Sequence, residues 1–242
     1  MDRSQRLFLY VSGLFVTSLV VADIIGSKFF TFGPYGSPFG SGTWSVTHSV
    51  GMLPFPITFL LTDLVNEYWG KKVARQLTIF GLVMAAFAFV MIRIARGMPV
   101  ASFSPISQEH FDAVFAMSNR LYIASLSAFA LGQLVDIQAF TLLKRVTRGR
   151  FIWLRATGST LVSQAVDSLM VSFVLMWGTT LSNGEIASTG LILETAATGY
   201  VLKFCIALAI TPLIYLGHGV MQRWFGLTPL PAEAAETVEE RP

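Results

Sequence analysis

Apolar residues run through this chain in stretches of about twenty, separated by short polar segments, and such a stretch suits a helix crossing a hydrocarbon core about 30 Å thick. Six stand out: Leu7 to Ile25, Val46 to Val65, Leu77 to Ile94, Leu121 to Leu142, Gly158 to Trp177 and Ala196 to Leu216. Arg3 and Arg6 before the first run mimic a secretory signal, but no small-residue cleavage site leading into soluble sequence follows, so that run is read as a span. The pattern predicts an all-α membrane protein, a six-transmembrane-helix bundle over residues 1–220. Residues 221–242 hold Pro229, Pro231 and a run of glutamates among small residues, and are expected to form a short disordered tail.

Two connections and one span have their own patterns. Thr31 to Thr43 is dense in Gly, Pro and Ser and is expected to be irregular, whereas Gly97 to Asn119 sets Ile106, Phe111, Val114 and Phe115 among Gln108, Glu109 and Asp112, as in a short interfacial helix. The second span carries Pro54 and Pro56. It is either a kinked full-length helix or a half-helix from Pro56 to about Trp69, which at roughly 21 Å falls short of the bilayer core.

Composition agrees with lipid as the solvent, since apolar residues make up 53% and charged residues 13%, where soluble domains carry about 25% charge. The basic residues sort by loop. Arg3, Arg6, Lys71, Lys72, Arg75, Lys144, Arg145, Arg148, Arg150, Arg155, Arg223 and Arg241 fall on one side of a six-span layout, against Lys28, Arg93, Arg96 and Arg120 on the other. Both termini are therefore expected in the cytoplasm, in a multi-pass protein of the plasma membrane. Because the cations lie in short loops beside spans, the net charge of +3 reflects insertion, and no nucleic-acid partner is expected. The single cysteine, Cys205, allows no intramolecular disulfide. No nucleophile motif, zinc-ligand spacing or Gly-rich phosphate loop appears, and His48, His110 and His218 are scattered, so neither an enzyme nor a metal or cofactor is expected.

Asp23, Asp63, Asp136, Asp167 and Lys203 lie within apolar runs. Each ionised group there costs roughly 2.5 to 3.5 kcal/mol, so pairing, a wet cavity or a ligand must compensate. Ala128, Gly132, Gln133 and Asp136 in the fourth span align without gaps with Ser159, Ser163, Gln164 and Asp167 in the fifth. In each, Gln and Asp share a helix face, with small residues one turn back that allow close helix approach. Asp63, Asn66 and Glu67 share one side of the second span, and Asp63 and Asp136 each lie eight residues before a cytoplasmic lysine, Lys71 and Lys144, which places them at one depth. Asp63, Asn66, Glu67, Gln133, Asp136, Gln164 and Asp167 are expected to border one cavity. Asp23 and Lys203 match in depth on the other half, so an ion pair between them is expected, the alternative being that Lys203 faces the substrate.

The run Phe59 to Arg75, FLLTDLVNEYWGKKVAR, resembles the signature segment of the queuosine precursor transporters, a vitamin-uptake type of family. Ala124-Ser125 through Gly132-Gln133-x-x-Asp136, Arg155 through Ser163-Gln164-x-x-Asp167, and Tyr200-x-x-Lys203 resemble it in order and spacing. Asp23 departs from it, asparagine being expected there. The resemblance implies uptake of a small-molecule 7-deazaguanine, such as 7-cyano-7-deazaguanine, its aminomethyl form or the queuine base, for transfer-RNA modification. A guanine-like edge suits carboxylates and Gln amides, and Phe55, Phe59, Trp177 or Tyr200 are candidates to stack on the base. The partners expected are this substrate and the lipid bilayer, with a homodimer left open. The competing reading is a membrane substrate-binding subunit of a vitamin or nucleobase importer that needs an energising partner.

Overall fold

The computed structural model describes residues 3–36, 43–115, 119–148, 150–180 and 186–231. Helix α1 (Arg3–Ile25) leads into an antiparallel hairpin of β1 (Phe29–Gly36) and β2 (Thr43–Ser49), then a single 3-10 turn, Val50–Met52. There follow α2 (Phe55–Tyr68), α3 (Lys71–Arg96), α4 (Gln108–Phe115), α5 (Asn119–Val146), α6 (Ile152–Met176) and α7 (Thr189–Arg223). Among the described residues five helices, α1, α3, α5, α6 and α7, are long and apolar enough to cross a membrane.

The expected second span, Val46 to Val65, is not one helix: its first part belongs to β2, and helix begins only at Phe55. The cause is local. Pro54 and Pro56 suit a first turn and are disfavoured inside a helix, since proline lacks an N–H and clashes with the preceding turn. Helix α2 is therefore 14 residues long, the half-helix of the two alternatives. It stops at Gly70, whose φ of 89° suits a residue without Cβ and whose N–H closes onto the Val65 carbonyl at 3.1 Å. The loop expected to be irregular is also corrected, because Phe29–Gly36 pairs with Thr43–Ser49, giving backbone groups partners that lipid cannot supply; residues 37–42 lie outside the described residues. The expected interfacial helix is present as α4, moored by an Arg96–Asp112 contact of 2.7 Å.

The bundle is apolar outside and polar inside. Leu9, Leu14, Ile79, Phe80, Val83, Phe87 and Val90 are exposed, while Thr58, Thr62, Asp63, Asn66, Glu67, Gln133, Asp136, Ser159 and Ser163 are buried. A soluble fold would reverse this. Leu7, Val11, Phe15 and Leu19 form one stripe on α1 that packs on Leu61, Leu64 and Val65 of α2 and Phe129 of α5. Since lipid is as apolar as leucine, dispersion and interhelical polar contacts hold these helices together rather than release of water. Buried hydroxyls bond back to their own helix, Thr62 Oγ1 to the Thr58 carbonyl (2.8 Å) and Thr141 Oγ1 to that of Ile137 (2.7 Å).

Helix α7, 35 residues long, spans about 52 Å, well beyond a bilayer core. Residues 225–231 of the expected tail turn back beneath α2, where Leu230 N–H donates to the Glu67 carbonyl at 3.0 Å and Phe225 and Leu227 join the core. Residues 232–242 lie outside the described residues.

Candidate functional site

The hairpin is wedged against α1. Ser49 Oγ donates to the Gly26 carbonyl at 2.7 Å, and a Cβ at Gly51 would stand 2.4 Å from the Ala22 carbonyl oxygen, so only glycine lets the two backbones meet. His48 packs on Gly199 of α7, where a Cβ would lie 2.9 Å from its Nε2. Beneath the hairpin this leaves a chamber of about 190 Å³. Asp23, His48, Ser125, Ser168, Ser172, Thr195 and Lys203 supply its polar lining, with Phe55, Val171, Leu175 and Met176 among its apolar walls. Met52, Phe55 and Lys203 also line a smaller pocket of about 40 Å³ that continues along α2 to Phe59, Asp63, Thr160 and Gln164.

Lys203 does not pair with Asp23. Its ammonium donates to Asp167 of the neighbouring helix α6, and Asp23 instead accepts from Ser125 Oγ at 3.3 Å. Both Asp23 and Lys203 face the chamber, which lies between α1 and α7. Matched depth is necessary for an ion pair but not sufficient, because the two helices must also be neighbours. The alternative, in which Lys203 faces the cavity, agrees with this geometry.

The echo between α5 and α6 becomes an antiparallel interlock. A Cβ on Gly132 would lie 3.3 Å from Asp167 Cβ, and Ser163 Oγ donates to Asp136 Oδ1 at 3.0 Å. Each motif's carboxylate thus seats on the other motif's small residue, which makes α5 and α6 the most extensively packed helix pair. Asp136 is fully buried, and its carboxyl lies within hydrogen-bonding reach of that of Asp63. Gln133 is also fully buried, with neither amide atom partnered among the described residues. An amide in that state costs about 1–3 kcal/mol, so it is an unmet demand in this conformation.

The remaining expected residues lie elsewhere. Asn66 Nδ2 donates to the Ile137 carbonyl and to Thr141 Oγ1, both at 3.4 Å. Glu67 sits between two cations at the far end of α2, with Arg155 Nη2 at 3.1 Å from Oε1 and Lys144 Nζ at 3.0 Å from Oε2. Arg155 also lies over the Phe140 ring, 5.5 Å from its centroid. None of the three lines either pocket, and all three side chains are 4% exposed or less. Of the aromatics, Phe55 and Phe59 reach the cavity and pack on Phe129 at 5.8 and 6.4 Å. Tyr200 instead stacks on Phe204, and Trp177 is exposed at the end of α6; neither lines either pocket.

The sequence reading did not single out His48, one of three scattered histidines, or the serines Ser168 and Ser172, whose four-residue spacing on α6 was a legible signal. It also counted Lys144 and Arg155 as solvated loop charges, which no spacing rule separates from buried ones. Outside the cavity, hydrogen bonds from Arg96 and Gln108 hold the exposed Asp112 carboxyl of α4 below the ordinary carboxylate range.

The family described as "Putative vitamin uptake transporter" matches residues 49–217. A "Probable queuosine precursor transporter" of Bacillus subtilis is 28% identical over 71% of this chain and 72% of its own length. The "Queuosine precursor transporter" of Escherichia coli is 32% identical, over 52% of this chain and 54% of its own length. A "Probable queuosine precursor transporter" of Haemophilus influenzae is 30% identical over 50% of this chain, and there the match spans about half of the relative, 48%. No solved structure matches the chain. A polar cavity inside a lipid-facing helical bundle and a family match over most of the chain lead to one conclusion: this is a multi-pass membrane transporter, not an enzyme, and it belongs to the vitamin uptake transporter family.

Proposed function

We propose that the protein imports a 7-deazaguanine queuosine precursor across the inner membrane into the cytoplasm. The observation that carries this reading is the chamber under the hairpin, where a carboxylate, an imidazole, hydroxyls and an ammonium converge on an apolar cavity. At about 190 Å³ it exceeds the 150 Å³ or so that holds a benzene ring, in keeping with a flat bicyclic base. Asp23 would accept N–H donors of a guanine-like edge, Lys203 and Gln164 would donate to its carbonyl, and Phe55 offers a face at the junction of the two pockets. The relatives' names supply the substrate class.

The charges support the orientation. Lys71, Lys72, Lys144 and Arg148 cluster at the end of the bundle remote from the hairpin, which supports a cytoplasmic position for that end and for both termini. The hairpin end, the 3-10 turn and α2 together then make the sixth crossing, and the chamber faces outward. A half-helix beginning beside the cavity aims its positive dipole end at the occupant.

Radiolabelled 7-cyano-7-deazaguanine offered to cells that cannot make the base tests the reading. Expression of this chain alone should restore accumulation, and Lys203→Ala at equal membrane abundance should sharply reduce it, because a polar site left unpaired discriminates strongly. Uptake only when a separate energising protein is co-expressed would favour the binding-subunit reading. No uptake in either case would remove the substrate assignment.

A further inference from the structure

Asp63 and Asp136 stand out from the other charged groups because they face each other. Asp136 is fully buried and Asp63 nearly so, at 4% exposure, and their carboxyl groups lie within hydrogen-bonding reach. Asp63 Oδ1 and Asp136 Oδ2 nevertheless each lack a donor among the described residues. Two ionised carboxylates can only accept, so a bond between them exists only if one carries a proton. Like charges at this distance, away from water, cannot both remain ionised. We propose that Asp63 and Asp136 form a proton-carrying carboxyl pair that couples substrate uptake to the proton gradient.

The placement suits that role. Asp63 lines the pocket continuous with the chamber, so a proton arriving there reaches the pair without crossing lipid, while Asp136 is anchored from behind by Ser163 Oγ at 3.0 Å, with Ser159 also in reach. Most charged and titratable groups around the pair have partners elsewhere, although Arg155 Nε and His218 Nε2 find none among the described residues. On α2 Glu67 is taken by Lys144 of α5 and Arg155 of α6; across the pocket Lys203 of α7 is taken by Asp167 of α6; His218 of α7 meets Tyr68, and Asp23 of α1 meets Ser125. Helix α3 carries its charges at its two ends. The pair is thus left to satisfy itself. The pair keeps one proton and a single negative charge at rest; a second proton binds from the outer side, the neutral, doubly protonated pair permits the change of access, and one proton then leaves to the cytoplasm with the substrate unaltered. A divalent metal cation suits the site poorly, since among the described residues no three acidic, histidine or cysteine side chains converge.

The inference rests on the import reading, and the test separates the two. Infrared spectra of the purified full chain should show a protonated, buried carboxyl band at neutral pH that disappears in both Asp63→Asn and Asp136→Asn. Absence of that band from the wild type, or its persistence in both variants, overturns the proton site whatever the substrate is. In proteoliposomes with the membrane potential clamped, one pH unit acid outside should hold roughly tenfold accumulation of 7-cyano-7-deazaguanine at one proton per substrate. Asp136→Asn should abolish accumulation yet keep exchange of labelled for unlabelled base. Undiminished accumulation in Asp136→Asn, or accumulation driven by a sodium gradient alone, overturns the coupling. If wild-type vesicles neither accumulate nor exchange the base, the substrate assignment falls while the infrared result still decides the proton site.

Discussion

Replacing Glu67 with alanine should be among the most destabilising single changes in the bundle. Its carboxylate is 3% exposed and separates Lys144 and Arg155, themselves 4% and 2% exposed, so solvent screens none of the three. At 3.0 and 3.1 Å each attraction is about 5 kcal/mol at an effective dielectric constant near 20, most of it offset by the cost of taking the charges out of water. Removing the shared anion leaves two uncompensated cations side by side, and breaking a buried pair in this way costs about 3–5 kcal/mol. At about 2–4 °C per kcal/mol for a chain of this size, the unfolding midpoint in detergent should fall by on the order of 10 °C. Lys144→Ala should cost less, since Arg155 still neutralises Glu67. Arg155→Ala should fall between, losing also its contact with Phe140. Thermal melts of the two singles and the double Glu67→Ala/Arg155→Ala form a double-mutant cycle, and the double should lose clearly less than the sum. Additive losses, or a Glu67→Ala midpoint within about 2 °C of wild type, corresponding to less than about 1 kcal/mol, would refute the ion cluster.

Gly51→Ala should fail to accumulate in the membrane, because its Cβ would meet the Ala22 carbonyl at 2.4 Å and backbone, not a flexible side chain, must yield; Gly132→Ala, facing Asp167 Cβ at 3.3 Å, should insert but melt a few degrees lower. In a Cys205→Ser background, an impermeant maleimide should label a cysteine at position 104 in intact cells and one at position 148 only after permeabilisation; the reverse pattern would overturn the orientation. The Asp112 carboxyl is held below its ordinary range by Arg96 and Gln108, so its contribution to anchoring α4 is present at neutral pH and lost only as pH falls through the lowered folded-state value. Accordingly, Asp112→Asn should melt below wild type at neutral pH and converge with it in strong acid; an unchanged difference across that range would contradict the Arg96 contact.

What was legible in the sequence is what depends on local chain properties. An apolar run long enough to cross lipid and not broken by a proline pair such as Pro54 and Pro56 favours helix, because lipid offers backbone groups few other partners, and α1, α3, α5, α6 and α7 were readable for that reason. The paired small-x-x-x-small-Gln-x-x-Asp motifs were readable too, as was the common depth of Asp63 and Asp136, since helical rise converts residue counts into depth. Tertiary structure decided which neighbours those depths brought together. Lys203 lies on a helix adjacent to α6, with a cavity between it and α1, so it meets Asp167 rather than Asp23. Glu67 was drawn out of the cavity by Lys144 and Arg155, whose flexible stems let loop-edge charges turn inward when a carboxylate waits there. The hairpin was hidden for the same reason: strand pairing between Phe29–Gly36 and Thr43–Ser49 is a relation between two segments, each ambiguous until its partner supplies the hydrogen bonds.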